Sequence, residues 1–300
     1  MPVPATTSFV PFTVALPDGR RLGLTRYGDP AHRPVVFQHG FGSSGLELPP
    51  APALLARLRL QLLAPDRPGG GHSSVYRPLS FPSFADDVVA MLDALGLPQP
   101  VGVMGWSVGG VHALALAARH PARVAAVQLL STCLPLGERA AYAHLSWQWK
   151  LLRWGQLGFP WLNRTTFLLL SRQWARHPDR TIDWFIRLMR PAEAAVTGQP
   201  VWRALLRDAA VAGFANHGRG VFDDAQAWCR PPGFRPEDVR APVRLWHGPA
   251  DGVWAPGNIP YLASRLADAQ LKLLPGQGHM LYLEHWTAIL EEMATLLDAV

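Results

Sequence analysis

Short, mainly apolar runs recur along this chain with helix-patterned segments between them. Pro34–Gln38, Leu60–Ala64, Val101–Met104, Val124–Leu130, Val243–Trp246 and Leu271–Leu274 are such runs. Apolar stretches of this length, without polar alternation, fit strands covered on both faces. Helical patterns lie at Pro52–Leu58, Phe84–Leu95, Val108–Arg119, Ile259–Leu266 and Thr287–Leu297. Strand and helix in alternation predict an α/β fold, a mostly parallel central sheet with helices on both faces. Ahead of it, Phe9–Ala15 and Arg21–Arg26 flank the turn signal Pro17-Asp18-Gly19 and read as an antiparallel pair.

The alternation stops between Leu134 and Arg230. That segment is helical in pattern and aromatic, with Trp147, Trp149, Trp154, Trp161, Trp174, Trp184 and Trp202. Pro160, Pro178, Pro191 and Pro200 cut it into short helices, because proline suits a first helical turn and not a helix interior. The predicted organisation is a core made of residues 1–133 and 231–300, with residues 134–230 inserted as a helical cap. Trp147, Leu151 and Trp154 recur at helical spacing and are expected to form one packed face.

The strand Val101–Met104 runs into Gly105-Trp106-Ser107-Val108-Gly109, and a helical pattern follows at once. G-x-S-x-G alone is weak, since about one chain in ten of this length would carry it by chance. Between a strand and a helix it is the turn that presents a serine nucleophile. Small residues at Gly105 and Gly109 let strand and helix approach, and the helix N-terminus favours negative charge at the same spot. A serine hydroxyl needs a base. Of eleven histidines, His279 in Gly276-Gln-Gly-His279 follows the last strand and precedes the last helix, which selects it. His39 is expected to brace a loop, His112 to sit inside a helix, His247 to lie at a strand end and His285 near the surface. The acid that orients the base is expected to be Asp251, in His247-Gly-Pro-Ala-Asp251-Gly after the strand Val243–Trp246. Glu138 is the runner-up, and Asp223 and Asp224 are weaker candidates. Oxyanion donors are expected from the amides of Val108 and of Phe41, the latter in His39-Gly40-Phe41-Gly42. Phe41, Trp106 and Trp147 are expected to contact substrate.

These five segments resemble the α/β-hydrolase superfamily, in order: H-G-F-G at residue 39, Asp66-Arg-Pro-Gly-Gly-Gly-His-Ser73, G-W-S-V-G-G, H-G-P-A-D and G-Q-G-H. The resemblance, to its capped esterase-like branch, implies a Ser107–Asp251–His279 triad under a cap and a carboxylesterase working through an acyl-enzyme. It also implies that the Asp66 turn shapes the pocket rim. Ser107 argues against epoxide opening and carbon–halogen cleavage, which relatives perform with aspartate. Thioester, lactone, C–C and N-terminal peptide bonds stay open as targets, as does a receptor-like module that retains the triad.

Other signals are negative. Pro68-Gly-Gly-Gly71 lacks the Gly-Lys-Ser/Thr ending of a phosphate loop and is expected to be a structural turn. No metal-ligand spacing occurs, so neither metal nor cofactor is inferred. Cys133 and Cys229 read as reduced thiols. The net charge of +6 comes mainly from scattered arginines and is not taken as a nucleic-acid patch. The partner expected is a small-molecule substrate and not nucleic acid; a membrane-docking lid, with hydrolysis at a membrane surface, is the less favoured alternative for the tryptophan-rich segment. Met1-Pro-Val-Pro-Ala shows no export signal, so a cytoplasmic location is expected.

Overall fold

The computed structural model describes residues 9–75 and 79–299. The Met1–Ala5 stretch, on which the absence of an export signal rests, lies outside the described residues. Eight strands form one sheet: β1 (Phe9–Ala15), β2 (Arg21–Tyr27), β3 (Arg33–Gln38), β4 (Leu60–Pro65), β5 (Val101–Trp106), β6 (Val124–Leu130), β7 (Val243–His247) and β8 (Ala269–Leu273). Their order is β1-β2-β4-β3-β5-β6-β7-β8. Pairings of β2 with β1 and β4 are antiparallel, and all the others are parallel.

The mainly apolar runs are explained by the two faces they serve. Val36, Val103, Val127 and Leu245 point into a core shared with α2 (Phe81–Ala94), α3 (Val108–Arg119) and α10 (Asn258–Ala263). Val35, Phe37, Met104, Ala126 and Trp246 point to the other face, under α1 (Pro52–Leu58) and α11 (Leu281–Asp298). Side chains one residue apart in a strand take opposite faces, so strands covered on both sides favour apolar residues at successive positions, with Gln61 and Gln128 as buried exceptions. The chain visits β3, then β4 on one side of it, then β5 on the other. That reversal opens a crevice beyond the C-terminal ends of β3 and β5, where ligand sites of such sheets form.

Helix α11 begins at Leu281 rather than at Thr287. Leu281, Tyr282, Leu283 and Trp286 are all buried, so its first turns show no amphipathic period, and the non-helical His285 (φ −104°, ψ 15°) resets the register. The start of α2 is fixed by a reciprocal Ser80–Ser83 capping box.

Between β6 and β7 the chain makes six helices: α4 (Trp147–Gly158), α5 (Pro160–Arg176), α6 (Pro178–Leu188), α7 (Pro191–Thr197), α8 (Pro200–Gly213) and α9 (Ala215–Cys229). Prolines open α5 to α8, as their spacing predicts. The packed face of α4 is not the predicted one. Trp147, Leu151 and Trp154 are 69%, 54% and 61% exposed. Trp149 and Leu152 on the opposite side pack inward, with Gln156 buried beside them. The helix is apolar on both sides, so spacing finds the stripes without telling which one is covered. Among the described residues, no helix is long and apolar enough to cross a membrane.

Candidate active site

Ser107 sits between β5 and α3 with φ 54° and ψ −124°, a conformation that a residue with a Cβ rarely adopts. The turn is held from both sides. The Ser107 amide donates to Leu130 O at 2.9 Å, and Thr132 Oγ1 donates to Ser107 O at 2.9 Å. A Cβ on Gly105 would collide with the backbone of Gly109, and one on Gly109 with the backbone of Gln38. Both positions therefore demand glycine, and the demand brings the ends of β3 and β5 against the start of α3.

Asp251 and His279 come together from the loops after β7 and β8, with His279 Nδ1 2.8 Å from Asp251 Oδ2. Asp251 Oδ1 accepts from the amides of Val253 at 2.7 Å and Trp254 at 3.3 Å. Burial by itself raises a carboxyl pKa, but His279 and the Val253 amide outweigh it and hold Asp251 below its usual range. His247 is buried beside the pair, its Nδ1 3.9 Å from Asp251 Oδ2, and burial lowers its pKa. Glu138, the runner-up acid, is ion-paired with Arg265. Asp223 pairs with Arg219 at 2.6 Å. Asp224 faces Arg67 and His112, each at 3.0 Å.

The loop after β3 is set by a buried polar network. Arg67 donates to the carbonyls of His39 and Gly40, while Gly40 N donates to Glu47 Oε2 at 3.0 Å. The Arg67 amide lies 3.4 Å from His39 Nε2, which leaves His39 Nδ1–H to donate to Gly40 O at 3.0 Å. With both peptide planes around Gly40 fixed, the direction of the chain into Phe41 is fixed as well. Burial together with Arg67 lowers the His39 pKa, so the ring is neutral. Glu47 is fully buried, and desolvation raises its carboxyl to about 7 against hydrogen bonds that lower it.

Trp106 is buried; its indole N–H donates to His279 O at 3.1 Å, and its ring lies against Gly40 and Tyr282. Val108 opens α3 and is buried. Phe41 is half-buried, with its ring centroid 6.0 Å from both Phe167 and Trp228. Trp147 is the most exposed of the expected substrate contacts. The Gly69–Gly71 turn uses its amides internally, on Ser74 O, Arg67 O and Ala212 O. Asp66 anchors it by accepting from His72 N and Gly45 N. Cys133 and Cys229 are buried free thiols.

Three features escaped the sequence reading. Glu193 of α7 accepts at one oxygen, Oε1, from the amides of Gly252 (3.0 Å) and His279 (3.3 Å). Trp228 of α9 is fully buried against Trp149 and Trp254. Arg67–Asp224–His112 ties the loop after β4 to α9 and α3. Each depends on a contact between distant parts of the chain. The only local hint was the apolar setting of Glu193 in Pro-Ala-Glu-Ala-Ala-Val.

A family model described as the alpha/beta hydrolase fold matches residues 33–285. A pimeloyl-[acyl-carrier protein] methyl ester esterase of Aromatoleum aromaticum is 30% identical over 284 residues, covering 89% of this chain and 97% of that protein. Its namesake from Chromobacterium violaceum is 27% identical over 274 residues, covering 88% and 94%. Among solved structures, an esterase from Exiguobacterium antarcticum superposes with TM-score 0.71 at 17% identity, over 96% of this chain and 100% of that one. A hydrolase from Pseudomonas aeruginosa gives TM-score 0.69 at 21% identity, over 96% and 98%. Matched by the family model over most of its length and 30% identical to a full-length relative, the chain belongs to the alpha/beta hydrolase fold family.

Proposed function

We propose that this ester hydrolase is a serine carboxylesterase that forms an acyl-enzyme at Ser107, with Asp251 and His279 completing the triad. The observation that carries this is the 2.8 Å contact of His279 Nδ1 with Asp251 Oδ2, together with a serine held at positive φ on a strand-to-helix turn whose preceding residue, Trp106, donates to His279 O at 3.1 Å. With Nδ1–H donated to Asp251, His279 keeps Nε2 as its basic nitrogen. Ser107 Oγ attacks the ester carbonyl carbon as its proton passes to Nε2. The amides of Phe41 and Val108 hold the oxyanion, each worth about 3 kcal/mol on the transition state. The tetrahedral intermediate collapses, and the alcohol leaves with the proton from Nε2. Water then attacks the acyl-Ser107 ester, giving its proton to Nε2. Carboxylic acid departs and Ser107 Oγ recovers the proton.

The substrate we propose is a small or medium ester with an apolar part. Aromatic side chains around Phe41 and His279 support this: Phe167 and Trp228 flank the former, and the Trp254 ring lies 5.9 Å from that of His279. The helices of residues 134–230 act as the cap over this region. The curated relatives are named for a methyl ester, a carboxylic ester with a small alcohol. The test is a panel of p-nitrophenyl and methyl esters, thioesters, lactones and aminoacyl amides, with Ser107→Ala as blank and fluorophosphonate labelling alongside. Ester turnover and labelling that both vanish in Ser107→Ala support the assignment. A folded wild type that neither labels nor turns over any ester sinks it.

A further inference from the structure

The corner between α4 and α5 is apolar and cationic at once on its outer side. Trp154 and Trp161 are 61% and 67% exposed, and Leu151 and Leu162 beside them are more than half exposed. Large apolar groups left in water in one place mark a surface that something covers. The charge there is one-sided. Between Glu138 and Asp179 lie six lysine or arginine residues and no aspartate or glutamate. This segment holds the whole net charge of +6; the rest of the chain is balanced. Among the described residues, Lys150, Arg153, Arg172 and Arg176 form no ion pair with a carboxylate, whereas α6 and α8 pair Asp179 and Asp183 with Arg203. On α5 the exposed Trp161, Leu169, Arg172 and Arg176 share the side opposite the buried Phe167 and Trp174.

We propose that the α4–α5 corner and the outer side of α5 that runs from it dock on the surface of an anionic lipid bilayer, with Trp154 and Trp161 at headgroup depth and the cations of both helices, Arg172 and Arg176 at the far end of α5 included, on lipid phosphates. Tryptophan favours this boundary because its ring is apolar with one polar N–H, and lysine and arginine extend along an apolar surface to reach phosphate. A helix pair with aromatic and aliphatic residues on the outside, cations of its own and no carboxylate of its own meets the requirements for lying in the interface plane, although Asp223 of α9 stands near Leu157 and Pro160 on the inner side of the corner. A folded acidic protein fits less well, since the apolar residues stand out by more than half their surface instead of lining a pocket for an anchor residue. The proposal does not depend on the ester assignment.

The test is co-sedimentation of the full chain with phosphatidylcholine vesicles containing about 30 mol% phosphatidylglycerol, and with phosphatidylcholine alone. Partition onto the anionic vesicles should be about tenfold stronger and should fall as salt is raised. Trp154→Ser/Trp161→Ser and, separately, Arg172→Gln/Arg176→Gln should each weaken it about tenfold, with turnover of a soluble p-nitrophenyl ester kept. Far-UV circular dichroism and a thermal melt of each variant report folding whether or not the ester is turned over, which keeps a failure here distinct from a failure of the esterase reading. If the tryptophan pair fails to fold, the arginine pair decides. No binding by wild type, or undiminished binding by the folded variants, overturns the proposal. So does binding to polyglutamate without vesicle binding, which points to an acidic protein. Self-association by light scattering that ends in Trp154→Ser/Trp161→Ser, again without vesicle binding, assigns the corner to a second copy and overturns it too.

Discussion

Glu193 Oε1 lies 3.3 Å from the backbone nitrogen of His279 and accepts its hydrogen bond. The same oxygen accepts from Gly252, next to Asp251, at 3.0 Å. One carboxylate oxygen from the inserted helices thus ties the acid loop to the histidine loop. Deleting an acceptor leaves two amides unpaired in a largely buried place, a loss of about 1–3 kcal/mol. An ångström of misplacement at a reacting group lowers turnover by about a hundredfold.

Glu193→Ala should therefore lower kcat by about 10- to 100-fold with a smaller change in KM. Glu193→Gln keeps a carbonyl oxygen for the same two amides and should restore most of the rate. Steady-state kinetics on a p-nitrophenyl ester separates the two. A glutamine variant as slow as the alanine one shows that the charge, and not the acceptor, matters.

Asp251→Asn and Glu138→Gln should behave oppositely. Asp251→Asn keeps its one oxygen for the Val253 and Trp254 amides and turns an NH2 donor toward His279 Nδ1, which favours the wrong tautomer and should cost about 10³- to 10⁴-fold in kcat. Glu138→Gln loses its ion pair with Arg265, so stability should fall by about 1 kcal/mol with kcat near wild type. Kinetics and urea melts of both variants check this. Full loss of activity in Glu138→Gln would move the acid to that loop.

Glu47 gives a pH dependence of defined sign. Its carboxyl is raised from 4.5 to about 7 by burial. A group raised in the folded state stabilises it below the unfolded pKa, and that contribution is lost as pH rises through the folded one. Stability should decline between pH 4.5 and about 7, by up to about 3 kcal/mol from this group. Glu47→Gln should flatten that slope in denaturant titrations at pH 5 and 8. An unchanged slope would exonerate Glu47.

Gly109→Ala should destabilise the fold by about 3 kcal/mol or more, because the new Cβ meets the Gln38 backbone and neither chain can yield cheaply. Gly96→Ala is a control at a turn with φ 70° and open space around the position, where only backbone strain applies, about 1 kcal/mol. Thermal melts of the two variants should rank in that order.

Much of the fold was legible in the sequence because it is written in local terms. Apolar runs mark strands covered on both faces, prolines mark helix starts, and glycine around Ser107 marks a turn that tolerates no Cβ. The order of Ser107, Asp251 and His279 followed from where each stands relative to its strand. The tertiary structure alone decided which contacts close over those positions. It put Asp251 on His279 and Glu138 on Arg265. It brought Glu193 onto the amides of Gly252 and His279, and Arg67 onto the His39-Gly40 carbonyls. It also turned Trp147, Leu151 and Trp154 outward where spacing predicts packing. Periodicity states that a helix has an apolar stripe, but which stripe is buried depends on what the rest of the chain brings against it.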